Sequence, residues 1–312
     1  MKLRFLGTDD PLAYLSYFIV CIVWGSTYLA IKLGIDNIPP AIFAGIRFAA
    51  VGIIMYIYAR ARGLRMPSTF QDLKHAAIVG LFLLTGAAGL VFWGQQHIST
   101  SLAAVLIVTS VLFTALIDSF LPQGNRVGRR GWLGLICGFM GVGILFLPEL
   151  EVGNTSLHGL FGILAASLSW AIGSLYSVRK PTSSSMIPNI AVQSLIGGGA
   201  LLIIGLLTGE AAHVQITPVA LAALLYLIIF GSVIGYSAYI YLLKVIPPYK
   251  AVTYSYINPV VAIILGFIVL GEPINLEMAL GAVVIIAGVL LVQSDRLPVP
   301  QNVSAQDTDV SG

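Results

Sequence analysis

Ten long apolar segments dominate the sequence, and each is about as long as a helix must be to cross a bilayer, roughly 20 residues. They lie at about residues 11–34, 39–59, 75–95, 98–121, 130–148, 157–178, 187–208, 217–243, 250–270 and 275–293. Strands of transmembrane barrels alternate apolar with polar residues, whereas these segments are continuously apolar. The sequence therefore predicts an all-α polytopic membrane protein with ten transmembrane helices, whose short loops leave no room for a soluble domain.

The composition excludes a soluble protein. Charged residues make up 9% of the 312 residues and hydrophobic residues 58%, whereas soluble domains are about 25% charged. So few polar groups cannot cover a water-exposed surface, and we expect the lipid bilayer to be the main surroundings of the chain. No nucleic-acid partner is expected, because the basic residues are sorted by membrane side.

That sorting follows from the helix boundaries. Of the 16 lysines and arginines, all but Lys32 and Arg47 fall in segments on one side, and the opposite loops carry Asp36, Glu149, Glu151, Glu210, Glu272 and Glu277. Cytoplasmic segments are enriched in lysine and arginine. The pattern predicts that the N- and C-termini are both cytoplasmic. Residues 295–312, rich in polar residues and proline, are predicted to form a disordered tail.

The two halves of the chain resemble each other weakly, which indicates an internal repeat. Glycines spaced by ten and seven residues recur 147 positions apart, at Gly124, Gly134 and Gly141 and at Gly271, Gly281 and Gly288. Because five helices per half is an odd number, the second half must be inverted. We predict repeats at residues 1–152 and 153–294, with a substrate site near the midplane between them. The alternative is that glycine-rich apolar helices share a composition without common descent.

One charged residue stands out inside the predicted helices. Arg47 lies seven residues past Pro40, well inside the outer half of the hydrocarbon region. Charges at this depth are rare unless they face a cavity or a partner, and a guanidinium can bind a substrate carboxylate through two hydrogen bonds. The alternative is that Arg47 snorkels outward or bonds to helix carbonyls.

Aromatic and amide side chains are the other candidates for substrate binding. Several lie away from helix ends or follow helical spacing, and together they suggest a pocket for a partly apolar solute. For any one of them, lipid contact or an interfacial belt is the alternative. The candidates are Trp24, Tyr28, Trp93, Gln96, Trp170, Tyr236, Tyr256 and Asn258.

Other polar residues have less specific roles. Ser110, Thr114 and Asp118 share one helix face, which indicates either a polar path or contacts between helices. Glu272, just before a helix, is expected to cap a helix terminus, and Lys32, near a helix end, is expected to snorkel.

Motifs for catalysis are missing from the sequence. It has no phosphate-binding Gly-Lys-Ser/Thr loop, no cluster with metal-ligand spacing and no buried carboxylate pair for acid–base chemistry. We therefore expect no ATPase, no metal, no cofactor and no enzymatic activity.

Several motifs together resemble an EamA-type member of the drug/metabolite transporter superfamily. They are Trp24–Gly34, Pro39–Pro40, Gly45–Phe48, Ser169–Ser174, Phe230–Ser232, Tyr254–Val261 and Leu270–Glu272. The resemblance implies a bacterial inner-membrane protein with two inverted five-helix repeats around a central cavity. It also implies gradient-driven export or exchange of amino acids or other small metabolites. The chain departs from the family pattern at Asn125, where the family often has glutamate.

The residues and the resemblance together predict a transporter for small, amino-acid-like metabolites that works by alternating access without ATP. The alternatives are an exporter of drugs or sugar-derived metabolites and a channel-like facilitator.

Overall fold

A computed structural model describes residues 8–122, 127–152, 154–180, 185–246 and 254–295, and the long elements in these ranges are all helices. Within them, nine helices are long and apolar enough to cross a membrane, and the described part of a tenth is apolar but has 17 residues. The prediction of an all-α polytopic membrane protein is confirmed. Gly124, Asn125, residues 250–253 and residues 296–312 of the predicted tail lie outside the described residues.

The first half contributes five helices. Helix α1 spans Pro11–Ile35, α2 spans Pro40–Ala61 and α5 spans Arg129–Val152. Helix α3 consists of Phe70–Gly80, a π-helical segment at Leu81–Ala88, and Gly89–Gly94. Helix α4 consists of Thr100–Ile107 and Thr109–Phe120.

The second half has the same organisation. Helix α6 spans Asn154–Arg179, α7 spans Met186–Leu207, α9 spans Tyr254–Leu270 and α10 spans Leu276–Asp295. Helix α8 consists of Pro218–Tyr226, a π-helical segment at Leu227–Ile234, and Gly235–Val245. A short 3₁₀ turn, Glu210–His213, lies between α7 and α8.

Local sequence signals define the helix boundaries. The side chains of Asp10, Thr69, Ser99 and Thr217 each accept a backbone N–H from the first turn of the following helix, the usual role of these residue types at an N-cap. The Thr69 cap explains why α3 begins five residues before its predicted start. After α7 the chain turns at Gly209, whose φ of +76° favours glycine.

The packing of the two halves is equivalent. Helix α2 packs along α7, and α5 packs along α10. Helix α1 contacts α8 and α9, and α6 contacts α3 and α4. Exchanging each helix for the one five positions away in the other half therefore converts one set of contacts into the other. The π-helical segments begin at residues 81 and 227, 146 positions apart. This is within one residue of the offset of the glycine pattern and supports two copies of one five-helix unit.

Glycines bring the paired helices into backbone contact. A Cβ atom added at Gly288 of α10 would lie 2.5 Å from the nitrogen of Gly138 and 2.6 Å from the oxygen of Gly134, both in α5. A Cβ atom added at Gly198 of α7 would lie 2.6 Å from the nitrogen of Ala49 in α2. Small residues at such crossings are typical of membrane helix pairs.

The two ends of the bundle differ in charge. We call the end at which α1 begins the basic end, because it carries Arg60, Arg62, Lys74, Arg129 and Arg179 at or near helix termini. The opposite, acidic end carries Asp36, Glu210, Glu272 and Glu277.

Candidate functional site

A central cavity of about 1510 Å³ lies between the halves. It is lined by residues from every helix except α5 in the described part of the chain. Its wall reaches the basic end at His75, Lys180 and Met186. In the other direction it stops at Ile31, Phe92 and Ala104, within the last turns of the helices before the acidic end. The cavity therefore opens at the basic end, and it is larger than the roughly 300–1,000 Å³ of typical ligand pockets.

Six of the nine predicted site residues line this cavity, and three do not. The lining residues are Trp24, Tyr28, Arg47, Trp170, Tyr236 and Asn258. Those outside the wall are Trp93, Gln96 and Tyr256. A substrate-binding role stays a prediction for all nine.

Arg47 lies deep in the cavity wall and contacts neutral groups. Its Nε and Nη2 atoms donate to the Ser232 hydroxyl oxygen over 3.4 and 3.3 Å. Its guanidinium carbon lies 5.0 Å from the ring centre of Phe48 and 5.9 Å from that of Phe92. The ion pairs in the described residues are Lys32–Asp36 and Arg179–Asp118. Within that part of the chain, Arg47 has no carboxylate partner.

Three aromatic rings form a cluster in the same wall. The ring centres of Trp24 and Tyr254 are 4.8 Å apart, those of Trp24 and Tyr239 are 5.3 Å apart, and those of Tyr239 and Tyr254 are 5.6 Å apart. We call these three residues the aromatic cluster. Tyr239 and Tyr254 are missing from the sequence-predicted site. A signal for Tyr239 is its helical spacing from Tyr236.

The π-helical segment of α8 places Arg47 beside the aromatic cluster. The Gly231 carbonyl accepts the indole N–H of Trp24 at 3.0 Å, and a Cβ atom on Gly231 would lie 3.3 Å from Nη2 of Arg47. The Ser232 hydroxyl donates to the Leu227 carbonyl, five residues earlier, at 3.0 Å. The cation and the rings therefore contact the same turn, and π-helical segments often occur at functional sites.

Asn258 joins α9 to α1 at the edge of the cluster. Its side-chain amide nitrogen, in the orientation that satisfies its neighbours, donates to the carbonyl oxygens of Tyr254 and Cys21, each at 3.1 Å. Pro259, which follows, has no N–H and leaves one helix carbonyl without its usual donor. The amide thus holds the two helices together where α9 is weakened.

Carboxylates tie the halves together at the acidic end. Glu272 accepts the backbone N–H groups of Thr100 and Ser101, at 2.7 and 3.0 Å, and the Ser101 hydroxyl at 2.6 Å. We call this set the acidic-end latch. Glu272 thus caps a helix as expected, but the helix is α4 of the other half. Glu210 likewise accepts the N–H of Ile42 in the first turn of α2, at 2.9 Å.

The other polar candidates divide between the cavity and the protein interior. Ser110 and Thr114 line the cavity, whereas Asp118 forms an ion pair with Arg179 at 3.0 Å. The stripe on α4 therefore serves both as cavity wall and as helix contact. The Lys32 ammonium donates to a backbone carbonyl at 3.1 Å besides lying near Asp36, so it does not simply extend to water.

The three residues outside the wall have other surroundings. Trp93 lies in the last turn of α3, with its ring centre 4.9 Å from that of His97. Gln96 is exposed, and the buried hydroxyl of Tyr256 has no hydrogen-bond partner in the described structure. Burial, together with the charges of His158 and Lys32, lowers the pKa of His97 in the loop after α3. Trp93 therefore contacts the loop after α3 and does not line the cavity.

No group of histidine, cysteine, aspartate or glutamate in the described ranges could hold a metal ion.

Comparison with known proteins agrees with the motifs. The sequence model of the EamA-like transporter family matches the chain twice, over residues 11–147 and 157–294. The uncharacterized inner membrane transporter YedA of Escherichia coli K12 is 34% identical over 276 residues, 88% of each chain. The order of the motifs also indicates this likeness.

Two further proteins extend the comparison. A probable amino-acid metabolite efflux pump of Salmonella typhimurium LT2 is 27% identical over 286 residues, which cover 88% of this chain and 92% of that protein. A crystal structure of a protein 20% identical to this chain matches with a TM-score of 0.59 over 90% of this chain and 96% of its own. At that identity it shows a likeness of fold alone.

Proposed function

This chain belongs to the EamA-like transporter family, and on that premise we propose that it exports or exchanges small amino-acid-like metabolites by alternating access, without ATP. Its relatives are named as transporters, and one as a probable amino-acid metabolite efflux pump. These names favour transport over enzymatic activity. Since YedA is named an inner membrane transporter, we assign this chain to the bacterial inner membrane.

The observation that carries the proposal is Arg47 in the cavity wall without a carboxylate partner among the described residues. Removing a cation from water costs several kcal/mol unless an anion or good hydrogen bonds compensate it. A substrate carboxylate would supply that anion, through the N–H groups that Ser232 does not bind. The aromatic cluster, which contacts the same turn of α8, would hold the apolar part of the solute.

The charges of the bundle support export as the direction of transport. Lysine- and arginine-rich segments face the cytoplasm, so the basic end, the N-terminus and the tail at residues 295–312 are assigned to the cytoplasm. The cavity then faces the cytoplasm and is closed toward the outside. A solute that binds from the cytoplasm in this state is exported when the cavity reverses.

We place the two repeats at residues 1–152 and 153–294. Their equivalence suggests how the cavity changes from one open side to the other. If each half adopts the conformation of the other, the acidic end opens and the basic end closes. The bound solute then faces the opposite side of the membrane without a continuous pore.

Counterflow in liposomes tests this function. The purified protein is reconstituted and given a panel of labelled amino acids and their oxo- and hydroxy-acid derivatives. Because a hydrogen bond to a charged group contributes about 1.5–3 kcal/mol, Arg47→Ala should reduce exchange of carboxylated solutes by about ten- to a hundredfold. Arg62→Ala, which removes an exposed arginine next to the end of α2, is the matched control.

Two results would contradict the proposal. If the Arg47→Ala protein exchanges every carboxylated solute as well as the unsubstituted protein, Arg47 does not bind the substrate carboxylate. Flux without counterflow would identify a channel-like facilitator instead of a carrier.

A further inference from the structure

We propose that the preferred solute is an organic monoanion: a carboxylic acid with an apolar or aromatic side chain and an uncharged 2-oxo or 2-hydroxy group, rather than a zwitterionic amino acid or an amine. This rests on the proposed function, since it concerns the same cavity and the same arginine. It narrows the amino-acid-like solutes to those without an ammonium group.

The first argument is the charge of the cavity wall. Arg47 lies deep in it, Lys180 lies at its mouth, and His75 contributes an imidazole near the basic end. Among the described lining residues there is no aspartate or glutamate. A cleft lined by charges of one sign raises the local concentration of solutes of the opposite sign, so this wall favours anions.

The second argument is that nearby carboxylates are engaged elsewhere. Asp118 pairs with Arg179 at 3.0 Å, and Asp36 lies 3.7 Å from the ammonium of Lys32. Glu272 caps α4 through the acidic-end latch. Recruiting any of these to a substrate ammonium would break a contact that holds two helices, or one helix end, in place.

Two further carboxylates lie at the first turns of helices. Glu210 accepts the N–H of Ile42. Asp72 is buried in the first turn of α3, below the N-cap Thr69. It therefore belongs to the helix terminus and not to the cavity wall.

The third argument concerns what an ammonium would meet next to a bound carboxylate. In an α-amino acid, both charges are attached to one carbon, so a carboxylate on Arg47 brings the ammonium close to the guanidinium. Like charges at short range in a site of low dielectric repel strongly. The indole N–H of Trp24 and the amide nitrogen of Asn258 are donors that already bond to carbonyls, and the described lining has no carboxylate that would neutralise the ammonium.

An uncharged 2-oxo or 2-hydroxy group avoids that repulsion. Tyr28, Tyr236, Tyr239 and Tyr254 line the same wall, and a phenol hydroxyl can donate or accept a hydrogen bond. The rings also provide apolar contact, so the site can bind a hydroxy acid or oxo acid without an unpaired charge.

A matched ligand series tests the proposal on the purified full-length protein. Phenylalanine, 3-phenyllactate and phenethylamine share one ring and differ in the charged groups. Ligands that bind the folded state raise its melting temperature. We expect 3-phenyllactate to give a half-maximal shift at roughly one-tenth the concentration of phenylalanine, and phenethylamine to give none.

Two substitutions at one position in the wall, Thr27→Asp and Thr27→Asn, differ from each other in charge but not in shape. Thr27 lines the cavity close to Arg47. A Cβ atom added at Gly231 would lie 3.1 Å from Cγ2 of Thr27 and 3.3 Å from Nη2 of Arg47. Thr27→Asp places a carboxylate near Arg47, which reduces the repulsion between the guanidinium and a substrate ammonium. The preference should therefore move toward phenylalanine by about tenfold. Thr27→Asn introduces a side chain of the same shape as Thr27→Asp but without the charge, and it should keep the preference for 3-phenyllactate.

The outcomes separate this inference from the proposed function. Equal or tighter binding of phenylalanine, with both ligands lost in Arg47→Ala, would overturn the monoanion preference and leave the carboxylate site intact. Binding of 3-phenyllactate that Arg47→Ala does not weaken would overturn both. No shift with any ligand at millimolar concentration would also overturn the preference.

Discussion

The acidic-end latch makes a quantitative prediction about the conformational equilibrium. Glu272→Gln removes the charge that accepts two backbone N–H groups and one hydroxyl. Hydrogen bonds to charged groups contribute about 1.5–3 kcal/mol and neutral ones about 0.5–1.5 kcal/mol, so three weakened bonds lose about 3 kcal/mol. If the latch is broken whenever the acidic end is open, the substitution shifts the equilibrium toward that state by roughly a hundredfold.

Cysteine labelling from outside the cell measures that shift. A single cysteine at Ile31, deep in the cavity, is placed in a protein whose Cys21 and Cys137 are replaced by alanine. A membrane-impermeant maleimide added to intact cells should label it faster when Glu272→Gln is present. Glu277→Gln, which neutralises an exposed carboxylate in the first turn of α10, is the control.

Equal labelling rates in the two proteins would refute this reasoning. They would mean that the Glu272 hydrogen bonds persist in both states of the cavity. The latch would then only stabilise the start of α4.

Two further predictions use matched pairs. Gly288→Ala should lower the free energy of unfolding in detergent by about 3 kcal/mol, because its Cβ meets backbone atoms. Gly143→Ala, which has open space, should raise it by roughly 0.5–1 kcal/mol. Ser232→Ala should weaken the preference for carboxylated over decarboxylated solutes by about tenfold in competition assays, since it loosens Arg47. Ser237→Ala, exposed and bonded to its own helix, should leave that preference unchanged.

The helices were predictable because the bilayer limits what a backbone can do. Without water in the membrane, each backbone polar group must bond internally, so continuous apolar segments form helices. The π-helical segments at Leu81–Ala88 and Leu227–Ile234 were not predicted. Neither segment contains proline, and the single glycine in each, Gly86 or Gly231, does not by itself specify a π-helical turn.

The site was partly predictable for the same reason. Arg47 is conspicuous because a charge in an apolar segment is costly, and the structure places it in the cavity wall. Trp93 was expected there because it follows helical spacing with other polar and small residues of its helix, among them Thr85. That stripe instead packs against neighbouring helices: Thr85 donates to the carbonyl of Gly197 in α7, and the Trp93 ring lies against Gly162 in α6. Spacing identifies a face of a helix but not the neighbour that the face contacts.

The sequence could not predict that the acidic-end latch connects the two halves. Glu272 precedes α10 in sequence, and a capping residue usually serves the helix that follows it. Its actual partners, Thr100 and Ser101, lie more than 170 residues earlier in the chain.

The glycine contacts between α5 and α10 and between α2 and α7 restrict how this cavity can reverse. At Gly288 and Gly198 the helices touch through backbone atoms, so a shift along either axis would bring bulkier side chains into those positions. Each pair also joins one half of the chain to the other. These contacts therefore oppose any movement of the two halves as separate rigid bodies. If the acidic end opens as proposed, the motion would fall to the remaining six helices, α1, α3, α4, α6, α8 and α9, which would bend or tilt while the two pairs stay in contact.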